Sequence, residues 1–396
     1  MRKLTFWLYN MAANGGIILY MEHKRSKTSP YKGEWRPFFR KLPWLLLIPV
    51  FYGLTWLAQK YPDMTEKLYS SSVYPYISRA LGYASSLTKS VSIAECLVLA
   101  LVIALLVLIA VHVIKLISGR LRFARFMSFI MGLCVFASFM FALFYIYWGF
   151  NYMRPSLYQR MDLSIEKRPV EELNALCIKL ASSAGEARAQ LKEDENGVFT
   201  FEAGYKKEFS KIPAAYRLLS ADQPIFSGTV YPAKGVRLSE GMSYGGISGI
   251  YIPYTAEANV NIDQPPLLIA ASAAHETAHY LGVAREDEAN FVSYLACTYS
   301  LDASVRYSGT MLALINSANQ LYKCDKQLYD TLVSEYYSEA MLRDIADYNK
   351  YWDTYEGPIE EAVDNMNDTY LKFNKQEDGV NSYGMMVDLL LAYYAS

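Results

Sequence analysis

Three long apolar stretches near the start of the chain constrain its fold more than any other feature of the 396-residue sequence. They cover residues 42–58, 94–117 and 126–148. A helix that rises ~1.5 Å per residue needs about 20 apolar residues to cross a ~30 Å hydrocarbon core, so the second and third stretches are long enough. The first is shorter and contains Pro43 and Pro49. The sequence therefore predicts three transmembrane helices in preference to buried helices of a soluble protein.

The distribution of lysine and arginine predicts the orientation of these helices. Residues 1–41 are rich in both, and so is the connection between the second and third stretches. That connection contains Lys115, Arg120, Arg122 and Arg125. Because cytoplasmic loops carry an excess of these residues, we expect both segments in the cytoplasm and residues from 151 onward outside it. Residues 6–20 are interrupted by polar residues, which favours a cytoplasmic lead-in over a signal peptide.

The predicted organisation has three parts, which are a basic cytoplasmic segment (1–41), a transmembrane region (42–149) and an extracytoplasmic domain (150–396). Helical patterns in the last part cover residues 170–190 and 209–219. Residues 225–261 have the Gly, Ser, Tyr and β-branched composition of strands and turns. Helical patterns return over residues 309–394, with breaks near 357–358 and 378–379. The predicted domain is therefore mostly α, of the α+β class. A short amphipathic helix is expected at 64–83, between the first two transmembrane helices.

Composition and charge limit the partners that the chain can bind. A formal net charge of -1 provides no basic surface for nucleic acid. Five cysteines without a CxxC pair exclude a cysteine-based zinc module. The expected partners are the lipid bilayer and a protein or peptide substrate, and no nucleic acid.

The sequence His275-Glu276-Thr277-Ala278-His279 carries the predicted chemistry. Two histidines at i and i+4 lie on one face of a helix, where they can bind one Zn²⁺ ion. Glu276, beside that face, is the expected general base for the water that such a metal activates. Gly282 can end the helix in a left-handed conformation and so bring an acidic cluster back to the histidines. The alternative is that both histidines are ordinary residues on a helix surface.

The acidic cluster offers Glu286, Asp287 and Glu288 as the third zinc ligand. On a helix from about 284 to 300, Ala289, Ser293, Ala296 and Cys297 form a stripe of small side chains that should face the histidine helix. Glu286 lies at the edge of this stripe, whereas Asp287 projects toward solvent and Glu288 toward another part of the core. We therefore predict His275, His279 and Glu286 as Zn²⁺ ligands, with Glu276 as the catalytic residue. Asn290, one turn after Glu286, is expected to orient a ligand by hydrogen bonding.

Two further features have a functional and an ordinary interpretation. Arg306 and Tyr307 are candidates for stabilising an oxyanion, or are a surface pair at the start of a helix. The glycine-rich strand before the metal helix can add an extended peptide at its edge, or is an ordinary strand of a sheet.

Most of residues 42–396 resembles a bacterial membrane family known as domain of unknown function 3810. The resemblance rests on the three apolar stretches and on several motifs. These motifs are 66–70, 243–261, 275–291, 306–309, and 370–372 through 379–380. It implies a membrane-anchored, zincin-like protein in the bacterial inner membrane. The run Glu286-x-x-Ala289-Asn290 is also similar to one in membrane CAAX-type zinc peptidases.

These features predict a multi-pass membrane protein that acts as a zinc metallopeptidase of the gluzincin type on an envelope protein or peptide. A peptidase with its site inside the bilayer is one alternative. Against it, residues 266–282 are short for a span and are flanked by charges at Asp263 and 285–288. The other alternative is a catalytically silent sensor or scaffold that binds a structural zinc ion.

Overall fold

The computed structural model describes residues 34–373 and 384–395. These residues form two compact units. One contains residues 34–53 and 100–142, and the other contains residues 54–99, 143–373 and 384–395. The predicted helix break near 378–379 and most of the basic N-terminal segment lie outside the described residues.

Three helical segments of 25 residues each are long and apolar enough to cross a membrane. The first runs from Arg36 to Lys60 and consists of α1 (Arg36–Phe39), a 3-10 turn (Leu42–Leu46) and α2 (Leu47–Lys60). The interval before the second segment contains α3 (Pro62–Thr65), a π-helical turn (Glu66–Ser70) and α4 (Tyr74–Ser86). The second and third segments are α5 (Ile93–Ile117) and α6 (Phe123–Tyr147). The prediction of three candidate membrane-spanning helices is confirmed.

In the first unit, the described contacts join residues far apart in sequence. The Lys41 ammonium donates to Ser128 Oγ at 3.3 Å. His112 stacks on Phe129 with 3.7 Å between ring centroids. These contacts tie the start of the first helical segment to α6 and join α5 to α6.

The remaining elements belong to the second unit. The helices before the sheet are α7 (Leu157–Arg160), α8 (Val170–Arg188) and α9 (Tyr205–Asp222). Strand β1 (Lys234–Val236) is followed by α10 (Ser239–Ser243), β2 (Gly249–Ile252) and β3 (Glu257–Asn261). The later helices are α11 (Ile269–Tyr280), α12 (Glu286–Thr298), α13 (Ala303–Cys324), α14 (Lys326–Tyr336), α15 (Glu339–Asp353), α16 (Pro358–Phe373) and α17 (Met385–Ala395). The mostly helical class is confirmed, and α9 is longer than the predicted helix at 209–219.

The three strands form a small sheet in the order β1-β3-β2. Strand β1 is parallel to β3, and β2 is antiparallel to β3 with Gly249 opposite Val260 and Ile252 opposite Glu257. Strand β3 is buried along its length, whereas Ile250 of the edge strand β2 is exposed. The prediction of strands and turns over residues 225–261 is therefore confirmed, although the short helix α10 was not predicted.

Small side chains allow α11, α12 and α13 to pack closely. Buried alanines line α11, and the Ser293 hydroxyl of α12 donates to the Ala271 carbonyl of α11 at 2.7 Å. Gly309 of α13 lies directly against Cys297, where a Cβ would overlap the cysteine side chain. The predicted stripe of small residues on α12 therefore serves two neighbours, because Ser293 contacts α11 while Cys297 contacts α13.

Candidate metal centre

The end of helix α11 brings the acidic cluster back to the histidines. Gly282 has φ 84°, a left-handed conformation that favours glycine. The Val283 amide donates back to the Ala278 carbonyl at 3.1 Å, which closes the helix end. The chain then reverses, and α12 begins at Glu286. The predicted role of Gly282 in ending the helix is confirmed.

Three potential metal-binding atoms meet where the two helices face each other. Glu286 Oε2 lies 3.1 Å from His275 Nε2 and 3.5 Å from His279 Nε2. Each residue offers one ligand atom, and these three atoms lie within 4.8 Å of one another. The structure therefore brings together the three residues predicted from spacing and helix phase.

The second nitrogen of each imidazole already has an acceptor. His279 Nδ1 lies 2.7 Å from the Val283 carbonyl, which can only accept, so this nitrogen carries the hydrogen. His275 Nδ1 lies 2.7 Å from Asn290 Oδ1, and this is the hydrogen bond expected of Asn290. When Nδ1 donates in a neutral histidine, the Nε2 lone pair is available to a cation. Two imidazole nitrogens and one carboxylate oxygen form a donor set that fits zinc.

Electrostatics couple the carboxylate and the imidazoles tightly. Burial disfavours a charged His279, but the nearby Glu286 carboxylate outweighs it and raises the pKa of His279 to about 9. Burial would likewise raise the pKa of Glu286, yet the adjacent histidines hold that pKa well below its ordinary range. The carboxylate therefore needs a positive partner at this position, which a protonated imidazole or a metal cation provides.

Glu276 lies beside the cluster, between α11 and strand β2. It is 5% exposed, and burial raises its pKa, with the Glu286 carboxylate adding to the increase and the histidines opposing it. The backbone amide of Tyr251 donates to its carboxylate. A Cβ on Gly249 would lie 2.5 Å from Glu276 Oε1, so glycine at this position leaves room for the carboxylate.

Side chains from outside the helical core hold the carboxyl end of α11. The Trp148 indole donates to the His279 carbonyl at 2.9 Å, and the Tyr74 hydroxyl donates to the Tyr280 carbonyl at 2.7 Å. Arg154 donates to the Gly282 carbonyl at 2.9 Å. Carbonyls at the end of a helix lack amide donors from a following turn, so these side chains supply donors there and fix the position of the turn that carries His279.

The cluster opens into a cleft of about 660 Å³. One side is formed by the end of α6 and the residues after it, and another by the glycine-rich segment 245–251. Tyr348 of α15 and residues 363–364 of α16 also line it. The cleft has the size range of ordinary ligand sites.

The other residues considered from the sequence lie elsewhere. Glu288 is buried and accepts from the Leu157 amide at 2.7 Å, as its predicted orientation toward another part of the core implied. Asp287 is partly exposed. Tyr307 is fully buried and donates to Asp344, while Arg306 donates to the Ser300 carbonyl. The oxyanion interpretation of Arg306 and Tyr307 is wrong, because neither lines the cleft, and Tyr307 is not on the surface.

A family model described as "Protein of unknown function (DUF3810)" matches residues 69–391. The chain belongs to this family. The match covers most of the chain, including the whole of the histidine and glutamate cluster. No curated protein and no solved structure matches the chain. The description of the DUF3810 family names no function, so what bears on the site's chemistry is its geometry.

Sequence reasoning missed three groups that shape this DUF3810 site, namely Gly249, Tyr74 and Trp148. In the sequence, Trp148 belongs to an aromatic run of the kind that is typical of a membrane interface. Its hydrogen bond to a residue more than a hundred positions away left no pattern in the sequence. The glycine-rich run around Gly249 was a visible signal, but it did not show which side chain needed the space.

Proposed function

We propose that this chain is a membrane-anchored zinc-dependent peptidase. The observation that carries the proposal is the convergence of His275 Nε2, His279 Nε2 and Glu286 Oε2 while both Nδ1 atoms donate to other acceptors. This arrangement leaves three basic atoms directed at one point beside an open cleft. It also corresponds to a site with three protein ligands and an open position, as in catalytic zinc sites.

His275, His279 and Glu286 would hold the ion, and Asn290 and the Val283 carbonyl would orient the two imidazoles. A zinc ion bound there supplies Lewis acidity, which lowers the pKa of water and polarises a substrate carbonyl. Glu276 accepts the proton that the attacking water loses and donates it to the leaving amine as the C–N bond breaks. Hydrolysis thus adds the elements of water to the peptide bond, giving a carboxylic acid and an amine.

Glu276 suits this role because of its surroundings. Burial raises its pKa, which makes the carboxylate a stronger base than an exposed glutamate. The Tyr251 amide and the close approach of Gly249 fix the position of the carboxylate. The silent sensor or scaffold would need neither a positioned glutamate nor a cleft beside the ion.

The decisive experiment uses the full chain in detergent, stripped of metal and titrated with Zn²⁺. We expect one zinc ion per chain and zinc-dependent cleavage of a mixed peptide pool. The Glu276→Gln variant should keep stoichiometric zinc and lose cleavage. Loss of zinc in that variant would show that the roles are assigned wrongly, and zinc binding without cleavage by the wild type would favour the sensor or scaffold.

We further propose that residues 150–396 lie outside the cytoplasm of a bacterial inner membrane. Support comes from the basic residues flanking the candidate spans, because lysine and arginine are retained on the cytoplasmic side. A reporter that is active only outside the cytoplasm should be active after Ser396 and silent after Arg120. The opposite pattern would reverse the orientation without affecting the metal site.

A further inference from the structure

We infer that the substrate is a polypeptide anchored in the same bilayer, and that it is cleaved close to the membrane surface. The inference rests on the proposed peptidase function and names its substrate class. Its basis is the position of the cleft relative to the ends of the apolar helices.

The cleft begins where a candidate membrane-spanning helix ends. Phe144, which lines the cleft, lies in the last turn of α6, and the cleft-lining Trp148 follows directly after that helix. A helix rises ~1.5 Å per residue, so Phe144 is only about 5 Å from the end of the helix at Tyr147. The Trp148 indole also donates to His279 O and packs edge-on against the His279 ring. A metal ligand is therefore in direct contact with the residue next to the apolar helix.

A second segment points to the same location. The interval between the first two candidate spans exposes large apolar side chains, namely Tyr61, Met64, Leu68, Val73, Tyr76, Tyr83 and Leu87. Tyrosines and apolar residues in such numbers are typical of a segment that lies in a membrane interface. From the same segment, the buried Tyr74 donates to the Tyr280 carbonyl at the end of the metal helix. Two separate connections thus hold the metal helix at the level of the interface.

The cleft's chemistry favours a polypeptide over a phospholipid. Among the described residues that line it, there is no lysine or arginine that could pair with a phosphate. Its acidic groups are Glu276, Glu286 and Asp364. The walls are otherwise mostly apolar, aromatic or glycine, with Ile250 42% exposed at the edge strand. With a Zn²⁺ ion bound, the three carboxylates still leave a net charge of about −1, so a neutral or basic extended segment fits this lining better than an anionic headgroup.

The geometry also limits how far the scissile bond lies from the anchor. The interfacial layer outside the hydrocarbon core is about 5–8 Å thick on each side. An extended chain advances ~3.3–3.6 Å per residue, so about two or three residues cross that layer. With the path into the cleft added, the bond should lie within roughly five residues of the anchor.

The test uses the full chain with zinc in phosphatidylcholine and phosphatidylglycerol vesicles. One mixed-sequence peptide pool, labelled for fluorescence release, is supplied in three forms. The first is free in solution, the second is linked to a Leu/Ala transmembrane helix by a spacer of about 5 residues, and the third by a spacer of about 30 residues. Both anchored forms have the same concentration in the membrane. Comparing them therefore separates the effect of the distance between the scissile bond and the membrane from the effect of concentrating the peptide at the membrane.

We expect the short-spacer form to be cleaved at least about tenfold faster than the long-spacer form, with each cleavage abolished in Glu276→Gln. Equal cleavage of the two anchored forms, or faster cleavage of the long-spacer or free form, would overturn the inference and leave the peptidase function standing. Cleavage of none of the forms by the zinc-loaded wild type would overturn both.

Discussion

Two clusters of charged residues lie on different faces of helix α11, one beside an open cleft and the other buried, and they differ in how completely their charges are compensated. The metal cluster comprises His275, Glu276, His279 and Glu286, which all line the open cleft. The sealed cluster comprises Lys234 and Glu257, an ion pair in which both residues are 3% exposed. Thr277 and Tyr280 of α11 line a smaller cavity beside this pair.

In the sealed cluster, every charge has several partners. The Lys234 ammonium donates to Glu257 and also, at 2.6–2.9 Å, to Ser85 O, Thr88 Oγ1 and Val91 O. Glu257 accepts from the Ala94 amide at 2.6 Å and the Ile93 amide at 3.1 Å, at the start of α5. It thereby joins strand β3 to the first turn of a candidate membrane-spanning helix, where a negative charge is favourable.

The comparison shows that burial of charge does not by itself indicate function. In the sealed cluster, hydrogen bonds to other protein groups occupy the donor positions of the Lys234 ammonium and the acceptor positions of the Glu257 carboxylate. Neither group therefore has a position left for a ligand. In the metal cluster, two carboxylates lie beside the imidazoles next to a cleft, and a protonated His279 or a metal cation would offset their negative charge. The first cluster therefore stabilises the fold, and the second is the one for which we propose chemistry.

The largest expected effect is on zinc affinity in Glu286→Ala. Structural zinc sites bind with ~10–16 kcal/mol, so losing one of three protein ligands should weaken binding by about a thousandfold or more. Asn290→Ala, which frees the His275 ring, should weaken it by about 10–100-fold. Competition titration of the full chain with a zinc chelator measures both.

The matched control is Glu288→Ala, because Glu288 is on the same helix but accepts from the Leu157 amide. Its zinc affinity should stay within about tenfold, while unfolding becomes easier by ~1–3 kcal/mol since a buried amide loses its acceptor. If Glu288→Ala alone strips the metal, the ligand assignment fails.

Glu257→Gln should destabilise the sealed cluster. Removing one charge from a buried pair leaves the Lys234 ammonium uncompensated, and such changes cost ~3–5 kcal/mol. Chemical denaturation of the purified chain should show this loss. The double variant Lys234→Met/Glu257→Gln should recover part of it, because no unpaired charge remains. A double variant less stable than the single one would mean that the pair is not the source of the effect.

Gly249→Ala should separate catalysis from metal binding. The added Cβ would displace the Glu276 carboxylate, so we expect kcat to fall by about 10–100-fold, within the range that general base catalysis contributes, while zinc affinity is unchanged. Gly241→Ala is the control, because nothing lies within 4 Å of a Cβ at that position. Equal activity of the two variants would show that Gly249 does not position Glu276.

The smallest expected effect concerns Glu66, which forms an ion pair with Arg154. The Glu66 side chain is 21% exposed, so it is less buried than the sealed cluster and less exposed than Glu286. Burial disfavours the carboxylate, but Arg154 outweighs it and lowers the pKa of Glu66 from 4.5 to about 2. A depressed folded-state pKa gives stability that is complete above pH 4.5 and is lost as the pH falls toward 2. Thermal unfolding across this range should show wild type and Glu66→Gln converging at the acid end. A constant difference would contradict this linkage.

Local sequence patterns were enough to predict the candidate spans and the residues that meet at the candidate metal centre. Apolar length alone predicted the three candidate spans, because crossing a bilayer requires a minimum run of apolar residues. Histidines four residues apart share a helix face, and a glycine after them permits a left-handed turn. The sequence therefore placed His275, His279 and Glu286 together before the structure did.

Only the tertiary structure decided what surrounds those residues. Trp148 and Tyr74 satisfy the carbonyls at the end of α11 from positions 131 and 206 residues away in sequence. Tyr307, which spacing allowed as a site residue, is instead fully buried against Asp344. Periodicity specifies which face of a helix a side chain occupies. The partner of that face depends on how separate elements pack, and no local pattern encodes that.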